Sequence, residues 1–223
     1  MAITEIPESI GIKERVTPSH VYFLRGPLSQ WFHSPFKAAP FIAEVMQYCA
    51  EFHTFNTCEH YMMFNKAVFM RDLDCASRIL AAKTPKEAKD LGREVKNYDD
   101  ALWDAVRFHV VAKANFLKFN SMWTDPKLKE YLMKTGSRTL VEANPIDPIW
   151  GVALAQDDDR ILDEAKWQGR NLLGKALMMA RDPYSMNTPE YMKEIHTLET
   201  EIIEPLISKM RYSKVKVDKE EDQ

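Results

Sequence analysis

Glu59 and Lys66 lie seven residues apart in the segment Thr57-Cys58-Glu59-His60-Tyr61-Met62-Met63-Phe64-Asn65-Lys66-Ala67. The segment reads as the start of a helix with Thr57 as N-cap. At that spacing the acid and the amine share a helix face. The apolar residues Met62, Phe64, Ala67, Val68, Phe69 and Met70 mark the helix as largely buried. A charged pair on a buried helix needs partners or a ligand. The helix N-terminus favours an ionised carboxylate, which suits Glu59 to work as a general base or as a stabiliser of positive charge. The competing role for Glu59 is a helix-start acid that only complements the dipole. Lys66 holds a phosphate, fixes Glu59, or extends to solvent.

Asp147 offers a second carboxylate. It stands between Pro145 and Pro148 in Leu140-Val141-Glu142-Ala143-Asn144-Pro145-Ile146-Asp147-Pro148-Ile149-Trp150-Gly151. A turn residue and an acid facing a substrate are equally good readings, because Asp-Pro favours turns by itself. Glu142 is the weaker alternative as partner to Glu59. Downstream, Gly169-Arg170-Asn171 precedes the apolar run Leu172 to Met179. A helix start there can hold an anion on free backbone N–H groups, with Asn171 as contact or as N-cap and Lys175 adding charge one turn on. It is no P-loop, since the glycine spacing and the Lys-Ser/Thr pair are missing. Cys49, His53, Cys58 and His60 fit no common zinc spacing. No metal or other cofactor is expected. Neither a nucleophile elbow nor a dinucleotide fingerprint occurs.

The elements that must position these groups read mainly as helices. Thr84-Pro85-Lys86-Glu87 combines a cap, a first-turn proline and a capping-box acid, and predicts a helix ending at Gly92. Asp99 or Asp100 opens the next, on which Leu102, Trp103, Val106 and Val110 recur at helical spacing. Asp125-Pro126 opens another that ends at Gly136. Thr188-Pro189-Glu190 opens a long last helix through Leu206. Val21 to Leu24 and Thr139 to Val141 are the expected strands. The 223 residues suffice for one domain with its own core. A net charge of −3 gives no bulk attraction to nucleic acid or membrane surfaces. Three cysteines form no even set and fit a reducing compartment. With no secretory leader and no apolar run of membrane length, a cytoplasmic protein without membrane contact is the expectation.

Four motifs in order resemble one family. They are Phe23-Leu24-Arg25-Gly26-Pro27-Leu28-Ser29-Gln30-Trp31 running to Phe36, the Cys58-to-Ala67 segment, Leu140 to Gly151, and Trp167-Gln168-Gly169-Arg170-Asn171-Leu172-Leu173-Gly174-Lys175-Ala176. Together they are similar to the YbiA-like, or NADAR, N-glycosidases. One departure is Ala153, where relatives usually carry glycine. The resemblance implies hydrolysis of an N-glycosidic bond between a ribose, phosphorylated or part of ADP-ribose, and a nitrogenous base. The substrates would be ribosylaminopyrimidine intermediates of riboflavin synthesis, or ADP-ribosylated guanine in nucleic acid. No obligate protein partner is implied. A non-catalytic ADP-ribose or nucleotide sensor is the alternative.

The resemblance also supplies a small sheet, making the fold a single, predominantly helical α+β domain. It covers a catalytic domain at 21–182, leaving an extension at 1–20; the helix signals and charge add a packed C-terminal helix at 183–212 and a charged, disordered tail at 213–223. Glu59 and Asp147 become the catalytic candidates. Trp103 becomes a stacking surface for the base, with core packing as its competing role, and Arg93 a phosphate contact. Trp31, beside Arg25 and Gly26, is the other aromatic candidate. Trp150 and Gly151 join Lys66, Asn171 and Lys175 as substrate-binding candidates, while buttressing of the loop is the competing role for Trp150 and the expected one for Trp167.

Overall fold

The computed structural model describes residues 14–45, 51–122, 124–182 and 184–208. In chain order, strands β1 (Arg15–Val16), β2 (His20–Phe23) and β3 (Phe36–Ala38) precede helix α1 (Phe41–Val45) and strand β4 (His53–Phe55). Five helices follow: α2 (Cys58–Phe69), α3 (Leu73–Ala81), α4 (Pro85–Arg93), α5 (Asp100–Asn120) and α6 (Pro126–Lys134). Strand β5 (Thr139–Glu142), helix α7 (Leu172–Arg181) and helix α8 (Pro189–Thr197) complete the regular elements. This is an α+β fold. No helix among the described residues is long and apolar enough to cross a membrane.

The expected caps form. The Thr57 side chain accepts from the His60 N–H, Thr84 from Glu87, Asp99 from Leu102 and Thr188 from Tyr191. Each satisfies one of the amide donors that a helix start leaves open. Helix α2 is buried nearly all round, including Cys58, Glu59, His60 and Asn65. It is therefore the central helix, wrapped by α3, α4 and α5. His60 is held by Thr57 at 2.8 Å through Nδ1 and by the Ala82 carbonyl at 3.2 Å through Nε2. Both ring nitrogens thus serve the fold. Cys49 lies outside the described residues, as does the tail at 213–223.

Two small sheets replace the single one expected. β2 pairs antiparallel with β1 and parallel with β5, placing Phe23 opposite Glu142. β3 and β4 form a separate antiparallel pair with Phe36 opposite Phe55. Alternation along β2 and β5 sends Val21, Phe23 and Leu140 into the main core. It sends Tyr22 and Val141 into a second cluster with Val152, Leu154 and Ile161. Trp167 packs on that second cluster and donates its indole N–H to the Ile161 carbonyl at 2.8 Å.

Three details depart from the sequence reading. β5 runs one residue further than expected, which carries Glu142 to the end of the strand. The last helix runs through Leu206 as expected, but its middle turn, Leu198–Ile203, is π-helical, with α-helix resuming at 204–208. That wider turn brings Leu198 and Ile203, five residues apart, into the same core. Ala153 occupies the left-handed region with φ +56. The turn keeps the backbone form that suits glycine, and the alanine carries its steric cost.

Candidate functional site

A cleft of about 1030 Å³ opens between the Leu24–His33 loop, one face of α2, the C-terminal end of α4, and the segment from Glu142 to Trp150. Glu59 enters it from the first turn of α2. Its backbone N–H is donated to the Gln30 carbonyl at 3.2 Å, which ties the loop to the helix start. Glu142 enters from the end of β5, and Asp147 from the turn that follows. The sequence reading set Asp147 against Glu142 as partner to Glu59. The fold brings all three to one cleft.

These acids are differently placed. Glu59 is 3% exposed, and its Oε1 has no hydrogen-bond partner. Burial pushes its carboxyl up to about 7. The Lys89 ammonium and a hydrogen bond from Trp31 work against that rise, Asp147 adds to it, and Arg93 opposes it. Glu142 is pushed up to about 8, first by burial and then by the charges of Asp147 and Glu59, with Lys89 opposing. Its Oε2 is also buried without a partner. Asp147 instead spends one oxygen on the turn, accepting the N–H groups of Ile149 and Trp150 at 2.9 and 2.8 Å. The turn role and the cleft position coexist.

Five buried side-chain atoms lack a hydrogen-bond partner among the described residues, and three of them belong to cleft residues: Gln30 Oε1, Glu59 Oε1 and Glu142 Oε2. Buried polar atoms are normally satisfied, so three unpartnered ones in a single cleft make it the candidate site.

Cationic and aromatic groups surround the acids. Arg25, Lys66, Lys89 and Arg93 all line the cleft. Arg25 has no ion-pair partner among the described residues, whereas Arg93 pairs with Asp90 at 3.1 Å. Lys66 points away from a pure ligand role: it donates to the Gly92 carbonyl at 2.7 Å and lies 4.4 Å from the centroid of the Tyr98 ring. Burial lowers its pKa. Trp31 is 43% exposed, with Lys89 above its ring at 5.7 Å. Trp103 is 5% exposed yet reaches the cleft wall, so core packing and ligand contact are not exclusive for it. Trp150 lines the cleft while packing on the core. Gly26, with φ +83, makes the turn that points this loop inward.

Three candidates lie away from the cleft wall. Gly151 is buried behind it, and a Cβ there would come 2.8 Å from the Glu142 carbonyl oxygen. It is a packing position. Asn171 holds the N-cap position of α7, but its side chain makes no capping hydrogen bond. Its carboxamide accepts from the Glu142 N–H at 3.1 Å and donates to the Leu140 carbonyl at 2.9 Å, fixing β5 against α7. Lys175 is exposed on α7, outside the cleft lining. At the helix start where an anion contact was expected, the Asn171 side chain is engaged in this structural tie.

The NADAR domain family model matches residues 22–184. This chain belongs to the NADAR family. Among relatives, the N-glycosidase of Acanthamoeba polyphaga mimivirus is 37% identical over 156 residues, covering 69% of this chain and 85% of that protein. An N-glycosidase of Nostoc punctiforme is 36% identical over 126 residues, covering 56% of this chain and 72% of that protein. The NMR structure of Escherichia coli YbiA shares the fold, with a TM-score of 0.57 and 22% identity over 78% of this chain and 89% of that one.

Within this NADAR fold, Gln30, Lys89 and Lys118 carry weight that sequence reasoning missed. Lys89 reads as one more charge on the exposed side of α4; only the packing of α4 on α2 turns it toward Glu59. Lys118 sits in an apolar stretch of α5 and is fully buried, donating to the Ser29 carbonyl at 2.8 Å. A charged residue within an apolar helical face is the one signal that marks it in advance.

Proposed function

We propose that this chain cleaves the N-glycosidic bond between the ribose of an ADP-ribosyl group and a nucleobase. As a NADAR-family protein related to N-glycosidases, it is a hydrolase of N-glycosyl bonds. The observation that supports the mechanism is the pair of buried carboxyls, Glu59 and Glu142, each with an unpartnered oxygen in one cleft.

Breaking the bond from ribose C1′ to nitrogen places positive charge on the sugar and negative charge on the leaving base. Two carboxyls held in opposite protonation states meet both needs. Glu59, the more acidic of the two, works as the carboxylate. It faces the cationic sugar and takes a proton from the attacking water, whose oxygen bonds to C1′. Glu142, kept protonated by burial and by its acidic neighbours, donates to the departing base. The cycle consumes one water. It ends with Glu59 protonated and Glu142 ionised, and proton exchange with solvent restores both.

The cleft size and its rim support the ADP-ribosyl substrate. A volume of about 1030 Å³ stands just above the usual range for small-molecule sites. Arg25, Lys89 and Arg93 suit a pyrophosphate, and Trp31, Trp103 and Trp150 offer aromatic surface for bases.

The test is incubation with an ADP-ribosylated guanine oligonucleotide and, in parallel, with a ribosylaminopyrimidine phosphate, followed by product analysis. Release of ADP-ribose from the oligonucleotide, with slower cleavage of the smaller substrate, is the expected result. Tight binding of ADP-ribose without cleavage of either substrate would replace the hydrolase by a sensor.

A further inference from the structure

We propose that Asn171 is a positioning residue for Glu142: its carboxamide serves as a one-residue strand on the open edge of β5 and so holds the Glu142 side chain in the cleft. The assignment rests on the N-glycosidase reading above, in which Glu142 donates a proton to the leaving base.

Among the described residues β5 is an edge strand, paired only with β2. Thr139 and Ala143 donate their N–H groups toward β2, to the Ser19 and Phe23 carbonyls at 2.8 and 2.7 Å. Alternation turns the backbone groups of Leu140 and Glu142 the other way, where no strand lies beside them. A buried edge of this kind must find its partners elsewhere. The Asn171 carboxamide supplies both at once, donating to the Leu140 carbonyl at 2.9 Å and accepting from the Glu142 N–H at 3.1 Å. It can do so because a carboxamide repeats the donor and acceptor of a peptide group. The Glu142 carbonyl is held as well, by the Val152 N–H at 3.1 Å.

Attachment of α7 does not by itself account for this residue. The backbone N–H groups of Arg170, Asn171, Leu172 and Leu173 already donate to the carbonyls of Pro148, Gly151, Ile149 and Trp150, at 2.8, 3.0, 3.2 and 3.1 Å. The chain also accepts two constraints to place the carboxamide. Asn171 sits in the left-handed region at φ +50, which asparagine tolerates better than most residues. At Gly174 a Cβ would come 2.6 Å from both Nδ2 and Oδ1 of Asn171, so glycine leaves the amide its room.

What the tie secures is the last residue of the strand. Glu142 has a buried carboxyl oxygen without a partner, and a carboxyl in that state gains by moving out to water. Fixing its backbone N–H and carbonyl opposes that movement. Without the tie the carboxyl hydrates, and its pKa falls from about 8 toward the ordinary 4.5. It would then give up the proton that the leaving base needs.

The test uses the full chain. Asn171→Gly removes the carboxamide and leaves the left-handed backbone unstrained. Asn171→Ser keeps a hydroxyl that can meet one of the two backbone groups. Each is made alone and together with Glu142→Gln. Turnover of the ADP-ribosylated guanine oligonucleotide is followed from about pH 5 to 10. The Glu142 carboxyl is titrated by carbon NMR, its signal assigned by its absence in Glu142→Gln. Asn171→Gly should lower kcat by up to about 100-fold, as a misplacement of about 1 Å does, with KM little changed. The alkaline limb and the carboxyl midpoint should both move to lower pH. In the Glu142→Gln background the same substitution should leave kcat nearly unchanged, because its effect passes through the carboxyl. Asn171→Ser should show these shifts in smaller measure, and it keeps the question answerable if Asn171→Gly folds poorly.

An unmoved carboxyl midpoint, or equal losses of kcat in both backgrounds, would make Asn171 a packing residue and overturn the assignment. If the wild type cleaves the oligonucleotide in that case, only the role of Asn171 falls. If the wild type cleaves nothing while Asn171→Gly still moves the midpoint, the hydrolase reading falls and the positioning of Glu142 stands.

Discussion

The charge of Glu59 is one of the forces that keep Glu142 protonated across the cleft. The two acids come from unconnected elements, the first turn of α2 and the last residue of β5. Both are raised mainly by burial, to about 7 and about 8. Between those values the first is substantially ionised while the second still holds its proton, and the two titrate as a coupled pair.

The pH–rate profile should therefore be a bell with its maximum between about 7 and 8. Glu59→Gln should lower kcat by about 100- to 10,000-fold. It should also shift the alkaline limb of the residual activity to lower pH, because the charge that raises Glu142 has gone. Glu142→Gln should remove the alkaline limb. Measured kcat/KM from pH 5 to 10 decides this, and a well-folded Glu59→Gln protein with near wild-type turnover would refute the assignment.

Stability should carry the opposite signature to activity. Both acids have folded pKa values above the ordinary 4.5. The folded protein therefore binds more protons than the unfolded chain between 4.5 and about 8. Their stabilising contribution is complete below 4.5 and is lost as pH rises through about 7 and 8. Glu59→Gln and Glu142→Gln should each flatten this loss and exceed the wild type in stability at pH 9, by on the order of a few kcal/mol. Urea unfolding across that range checks it. Parallel curves for variants and wild type would show that the buried acids are already solvated.

Much of the helical frame was legible because its signals are local. Thr57, Thr84, Asp99 and Thr188 each cap the helix their sequence context announces. β3 and β4 were not legible, since three residues give alternation too little length to register. Of the site, Glu59 and Asp147 were visible as acids in dense motifs. The weight of Glu142 was not, because its environment depends on the parallel pairing of β5 with β2. Asn171 shows the same dependence: a residue before a helix reads as a cap or an anion contact, and only the sheet beside it shows its carboxamide engaged by Glu142 and Leu140. Gln30 and Lys118 gave little sign, since their importance lies in which buried atoms meet and not in local pattern.

Trp31 and Trp103 should separate ligand stacking from packing. Trp31 is 43% exposed, so Trp31→Ala should leave the unfolding midpoint nearly unchanged. It should weaken ADP-ribosyl ligand binding by about 1–3 kcal/mol if a base stacks on it. Trp103 is 5% exposed and belongs to the main core, so Trp103→Ala should destabilise the fold by about 3–5 kcal/mol. Thermal unfolding with ligand titration on both variants distinguishes the two roles. Full affinity in Trp31→Ala would remove that indole from the site.

Arg25 should matter more to phosphate than Arg93. Both line the cleft, but Arg93 is already paired with Asp90 at 3.1 Å. Arg25→Ala should weaken binding of ADP-ribose by about 1.5–3 kcal/mol, the worth of a hydrogen bond to a charged group. Arg93→Ala should cost less, and ribose should bind both variants as it binds the wild type. The difference between Arg25→Ala and wild type should shrink as salt is raised, because exposed charges are screened. Comparable losses for ribose and ADP-ribose would mean that Arg25 shapes the loop and does not hold phosphate.

Lys118 should prove a positioning residue whose removal does not harm the fold. Its ammonium is fully buried, donates to the Ser29 carbonyl at 2.8 Å and lies 5.5 Å from the Phe32 ring centroid and 5.0 Å from that of Phe119. Burial pushes its pKa down to about 8. The charged form is thus disfavoured by folding at neutral pH, and that cost disappears as pH rises from about 8 through the ordinary value of 10.5. Lys118→Met fills similar space without a charge, and the Ser29 carbonyl keeps the Phe32 N–H as donor at 3.2 Å. Unfolding at pH 7 should therefore show the variant as stable as the wild type or more so, with the advantage fading by pH 10. The loop bearing Gln30 and Trp31 loses one of its tethers, so substrate binding should weaken by about 0.5–1.5 kcal/mol, the net worth of one hydrogen bond. KM and unfolding free energy measured at both pH values test the two halves together. A destabilised variant with unchanged KM would show that Lys118 serves the core and not the loop.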